Sequence, residues 1–312
     1  NFTTATNSLN TAVGYVAGSS VTTGIRNTLI GANAGDAITT ADNNVAVGTD
    51  ALGTNVLGTA NIAIGRLALG TMNPATLSST YNTAVGADAG AAVTTGIFNT
   101  FIGGLAGDAT TDADFNVALG YGSLSANTVG SSSVAIGALA LAVQNPASAV
   151  SMLNTAVGQA AGTSVTTGVQ NTLMGGLAGD ALTVGNYNLA VGQNALSSDT
   201  KGNKTTAVGQ GALFAQNFTT ATDALNVAVG YDAGVSITTG VFNTLIGGLA
   251  GDGLTDADQN VAIGYAALSS DQLGSKSTAI GTQALVSQQF TGASDVYNTA
   301  VGFQAGLAVT TG

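Results

Sequence analysis

Apolar and polar positions along this chain alternate in short bursts that recur at a fixed distance. Asn10-Thr11-Ala12-Val13-Gly14 returns at 82–86, 154–158 and 298–302, with Asn226-Val227-Ala228-Val229-Gly230 between them, a period of 72 residues. Inside each period the looser unit Asn-x-Ala-(Val/Ile)-Gly-x-x-Ala recurs at offsets 0, 17, 34 and 51, so three turns of 17 residues precede one of 21. Side chains alternate between the two faces of a strand, which makes each five-residue unit a short strand. Its fourth position is Val13, Ile30, Val47 and Ile64 in the first block and stays Val, Ile, Leu or Met afterwards. This bulk predicts the inward face, shared with the second position (Thr11, Thr28, Val45, Ile62). The opposite face then carries Ala12, Ala46, Ala84 and Ala156, a small-residue apolar stripe expected to mark an interface between chains.

An apolar unit repeating about every twenty residues is the signature of a solenoid, in which one turn is stable only when stacked on the next. The expected fold is therefore all-β: a parallel β-solenoid, or β-roll, of seventeen stacked turns, elongated as a rod. The blocks are 10–81, 82–153, 154–225 and 226–297, with partial ends at 1–9 and 298–312. No linker or shift of composition separates them, so a single continuous array is expected. Because the chain starts and stops inside a repeat, it reads as a fragment of a longer fibre.

Several columns are nearly invariant. The fifth position is Gly in every turn, which implies a positive-φ corner or a backbone too closely packed for a Cβ. The first is Asn except at Ser133, Thr205 and Ser277, which predicts an amide ladder from turn to turn. The eighth is Ala except at Ser123, expected at a tight corner or against a neighbouring chain. The ninth reads Gly18, Gly35, Leu52, Leu69 and repeats Gly, Gly, Leu, Leu thereafter, so the cross-section changes on a four-turn rhythm.

Composition narrows the picture. The chain has 45 Gly, two Pro, no Cys and no His, and its 16 acidic residues are all Asp. Gly, Asn, Ser, Asp and Thr are poor helix formers, whereas Val, Ile and Thr suit strands. Charged residues are 7% of the chain, yet no apolar run approaches the ~18 residues of a membrane helix, so no membrane insertion is expected. The five basic residues, Arg26, Arg66, Lys201, Lys204 and Lys276, are scattered under a net charge of −11, which argues against nucleic acid.

Candidate chemistry is sparse. Asp108, Asp112 and Asp114, and likewise Asp252, Asp256 and Asp258, place three carboxylates within seven residues, which could offer oxygen ligands to calcium or simply accept hydrogen bonds in polar turns. Thr-Thr-Gly recurs only in the first turn of each block, which interrupts any ice-binding ladder. Apart from the Asp column, no pair of Asp, Ser, Tyr or Lys keeps its place in every block, so neither catalysis nor a cofactor is expected. The four-residue insertion of each long turn puts Pro74, Pro146, Phe218 and Phe290 in one column. There Phe218 and Phe290 would form an apolar platform for a sugar ring or a neighbouring fibre, with Asn217 and Gln289 as hydrogen-bonding partners.

The unit Asn82-Thr83-Ala84-Val85-Gly86-Ala87-Asp88-Ala89 resembles the head repeats of trimeric autotransporter adhesins, and is similar to the Asn-Thr-Ala-(Val/Ile)-Gly arrays of phage tail-fibre-like proteins. The resemblance covers the whole chain, although turns of 17 and 21 residues are longer than those of adhesin heads. It implies a left-handed roll, a homotrimer, and an extracellular place on a cell surface or virion. The expected function is a structural, adhesive fibre that meets a surface glycan or receptor. The alternative is a self-assembling filament protein that binds no receptor.

Overall fold

A computed structural model describes residues 7–311; residues 1–6 of the leading partial turn and Gly312 lie outside the described residues. Every element among the described residues is a short strand. The chain is a parallel β-solenoid, and it falls into two compact units, Asn1–Leu153 and Asn154–Gly312, divided at a block boundary. The first unit carries eight of the seventeen repeat strands, from Thr11–Val13 to Val134–Ile136, and the second carries nine, from Thr155–Val157 to Thr299–Val301.

Strands pair in parallel with the repeat in register: Thr11 faces Thr28, Ala12 faces Leu29 and Val13 faces Ile30, and the same alignment continues turn after turn. Each long turn adds a two-residue strand pair, such as Gly58–Thr59 with Ser78–Ser79. The insertion is thus partly ordered by strand pairing.

The faces of the strand are the reverse of the expectation from bulk. The third position points inward: Ala46, Ala63, Ala84 and Ala156 are fully buried. The fourth points outward, with Ile30 and Ile64 each 38% exposed, while in the first turn Ala12 and Val13 are both exposed. Val47 and the second-position residues Thr28 and Val45 are half-buried on that same outer face, and Ile62 is exposed. Ala46, Ala84 and Ala156 of the predicted stripe are therefore core. The physical reason is the narrowness of a 17-residue turn, whose interior must also hold positions eight, nine and twelve.

Volume is exchanged between two of these columns. Where the ninth position is Leu52 or Leu69, the strand centre is Ala46 or Ala63; where it is Gly35, the strand centre is Leu29. A Cβ on Gly18 would lie 2.7 Å from Leu29 Cδ1, and one on Gly107 would lie 2.5 Å from Phe101 Cε1. Leu29, Phe101, Leu173 and Leu245 thus fill the space that glycines leave in their own turn and the one before. The eighth-position alanines, among them Ala34, Ala51 and Ala68, are buried inside the coil, so their smallness serves the core and not a contact between chains.

The fifth-position glycines combine both expected reasons. Gly103 has φ 134°, and a Cβ there would lie 2.6 Å from the carbonyl oxygen of Gly120 in the next turn. The asparagine ladder runs unbroken from Asn10 to the Ser133 amide in the first unit, and beyond Asn10 its amides are buried. Asn27 N–H donates to Asn10 Oδ1 at 2.8 Å, Asn44 N–H to Asn27 Oδ1 at 3.0 Å, and Asn27 Nδ2 to Ala41 O at 2.9 Å. Each amide so satisfies backbone groups that could not otherwise be buried without cost.

Candidate functional site

The insertion column is held from inside by the twelfth position of the turn before it. In the first two blocks that residue is Asn55 or Asn127, fully buried, whose Nδ2 donates to the Gly58 or Gly130 carbonyl at 2.8 and 2.7 Å. The insertion then presents Pro74 or Pro146, which has no N–H. In the last two blocks the same place holds Asp199 or Asp271, acceptors only, and the insertion presents a residue with an N–H. Phe218 N–H donates to Asp199 Oδ1 at 3.3 Å and Phe290 N–H to Asp271 Oδ1 at 2.9 Å. Asn goes with Pro and Asp with Phe. The Pro-to-Phe change is thus matched by a buried hydrogen bond, not only by what the outside requires.

The side chains follow. Pro74 and Pro146 are buried, Phe218 is 5% exposed and Phe290 is half-buried. Phe218 therefore offers no aromatic platform at the surface. Asn217 is exposed, but its Oδ1 already accepts the Thr200 hydroxyl at 3.0 Å; Gln289 is exposed beside Phe290.

Asp199 anchors a wholly internal polar network. Gln216 Nε2 donates to its Oδ2 at 2.7 Å and to Thr205 Oγ1 at 3.1 Å, while Asn226 Nδ2 donates to Gln216 Oε1 at 2.9 Å. Burial pushes the Asp199 carboxyl above its ordinary value, against the lowering effect of Gln216 and of the Gly202, Phe218 and Lys201 amides. A raised folded pKa stabilises the fold below the unfolded value, and that stability is lost as pH rises through the folded pKa. Lowering pH from neutral toward 4 should therefore raise the thermal midpoint of the wild type relative to Asp199→Asn, whose amide has precedents in Asn55 and Asn127. A midpoint difference that stays constant with pH contradicts this.

The acidic triplets do not converge. Asp112 Oδ1 accepts the hydroxyls of Thr94 and Thr95, each at 2.7 Å, and Asp114 Oδ1 accepts the Ile97 amide at 2.8 Å. Asp256 is bonded to Thr239, and Asp258 to the Val241 amide at 2.8 Å. Each carboxylate reaches to the turn before it, as an acceptor in a polar corner does. No group of three or more metal-binding side chains is present among the described residues. Asp108, Asp180 and Asp252 differ: burial raises each carboxyl, and Oδ1 of each is enclosed without a hydrogen-bond partner. Asp88 adds repulsion to Asp108, and Asp232 to Asp252.

The outer face of each unit's sheet is a field of Thr, Val, Ile, Leu and Met, with Ile102, Leu119, Met174 and Ile246 each about two-fifths exposed. Exposed aromatics flank it: Tyr15, Tyr121, Tyr231 and Tyr265 after the corner glycine, and Tyr81, Phe98, Phe115, Tyr187 and Phe242 before the ladder residue. None of the 16 Asp lies from the residue before the ladder to the residue after the corner glycine, whereas Arg26, Arg66, Lys204 and Lys276 do. The only charges in those columns are basic, and the carboxylates occupy the rest of the turn.

No protein-family model matches the chain, and no curated protein matches it. No helix among the described residues is long and apolar enough to cross a membrane.

Proposed function

We propose that this chain is a structural segment of an extracellular fibre, on a cell surface or virion, that assembles by covering its outer sheet face with further copies of itself. The observation that carries this reading is the apolar outer face of an all-parallel sheet. Parallel sheets are stable with both faces covered, and a contiguous apolar patch on a solvated surface marks an interface. The interior already fills one face, so a partner is needed for the other. The resemblance of the repeat to trimeric adhesin heads and tail-fibre arrays supports three copies as the assembly and the outside of a cell or particle as its place.

The burial of Phe218 favours the shaft or filament reading over a receptor contact in the insertion column. The experiment that tests the reading is mass measurement under native conditions, on the wild type and on variants that place a charge on the outer face.

A further inference from the structure

The tenth position of every second turn is an aspartate: Asp36, Asp108, Asp180 and Asp252. In the last three blocks a leucine precedes it by three residues, Leu105, Leu177 or Leu249, and the tenth position of the next turn is Ser125, Ser197 or Ser269. Oδ1 of each of those three aspartates is enclosed. The first block departs at both places together. Asn33 replaces the leucine and Gly53 the serine, and Asp50 stands at the seventh position of the third turn, where the other blocks have Gly122, Asn194 or Ala266.

These replacements meet in one groove of about 410 Å³, lined at one end by Asn33, Asp36, Asp50 and Gly53. Asn33 Nδ2 donates to Asp50 Oδ1 at 2.9 Å, which leaves Asp50 Oδ2 to accept another donor. A Cβ on Gly53 would lie 3.7 Å from Asp36 Oδ1. Where the Ser197 hydroxyl bonds the Asp180 carboxyl in the third block, the first therefore has open space in front of its acid. The remaining lining offers no competing polar group. Leu67, Gly70 and Ala91 have no polar side chain, and the Thr54 and Thr71 hydroxyls already donate to Gly70 O at 3.0 Å and to Ala91 O at 2.8 Å. The ion pairs among the described residues engage Asp88, Asp223 and Asp295, so the chain supplies no counter-ion to Asp36 or Asp50.

We propose that this groove binds an organic cation with a compact apolar body, of the size of phenethylammonium, its head met by the carboxylates of Asp36 and Asp50 and its body lying against Leu67, Gly70 and Ala91. A mainly apolar cleft of this volume with a few convergent polar groups is the usual form of a small-molecule site. The N–H donors of an ammonium match the open carboxylate oxygens, and such charge-assisted bonds are stronger than neutral ones. The groove lies at positions seven, ten and eleven of its turns, outside the columns that assembly would cover, so the inference does not depend on the fibre reading.

The test is titration of the full chain with phenethylammonium chloride, following the Leu67 methyl resonances by NMR, with 2-phenylethanol and 3-phenylpropionate as neutral and anionic probes of the same shape. The wild type should show a saturable shift in the millimolar range with the ammonium alone, weakened by added salt. Asp36→Asn should reduce the affinity several-fold. Asn33→Leu/Gly53→Ser installs the residues of the other three blocks, at a glycine whose Cβ would have its nearest neighbour at 3.3 Å, and should abolish the shift with the circular dichroism spectrum unchanged. A wild type without a saturable shift, a shift equalled by either uncharged or anionic probe, or one retained in the folded double variant overturns the proposal.

Discussion

Ala84→Asp should unfold the turns around it, not merely loosen contacts between chains. Ala84 is fully buried at a strand centre, paired with Ala63 in the turn before and Phe101 in the turn after. A carboxylate there enters an apolar interior without a planned partner, at a cost on the order of 4 kcal/mol or more. Val85→Asp, one residue on, points the same charge to the outer face and should leave the fold in place. Thermal unfolding of the two variants, followed by circular dichroism, gives the comparison. The expected result is a large fall in midpoint for Ala84→Asp and a small one for Val85→Asp. The opposite order would restore the bulky fourth position to the core.

Gly103→Val should be comparably damaging for a different reason. At φ 134° an L side chain is strained, and its Cβ would meet the Gly120 carbonyl carbon and oxygen at 2.7 and 2.6 Å. Strain of about 1–3 kcal/mol from the backbone alone adds to the steric clash. The clashing atoms belong to the next turn, so the damage falls on stacking. Turns in a solenoid stabilise only their neighbours. Proteolysis of the variant is therefore expected to cut first within the first unit, near Gly103–Gly120, where the wild type resists. An unchanged digestion pattern would show that the corner tolerates a side chain.

The architecture was legible because its signals are columns. Seventeen corner glycines and a nearly unbroken run of asparagines announce stacked turns in register, and strand pairing and the amide ladder follow that register. Which face of the strand turns inward was not legible from bulk alone, because Val and Ile suit both a core and an interface. The deciding signal was the coupling of two columns. Leu29, Phe101, Leu173 and Leu245 occur only where the ninth position is glycine, a trade of volume that makes sense only if the third and ninth positions share one interior.

The insertion column shows a related limit of reading one column at a time. Variation from Pro74 to Phe218 suggested an outside contact, yet the same blocks vary from Asn55 to Asp199 at a buried place nineteen residues earlier. Read together, the two changes describe one hydrogen bond that proline cannot donate.

The central claim is that the outer sheet face is an interface between copies of this chain, and native mass spectrometry tests it most directly. The wild type should give three chains, while Ile102→Asp and Ile246→Asp, each at a side chain 38% exposed on that face, should give single chains with an unchanged circular dichroism spectrum. A monomeric wild type, or an assembly that survives both substitutions, would contradict it.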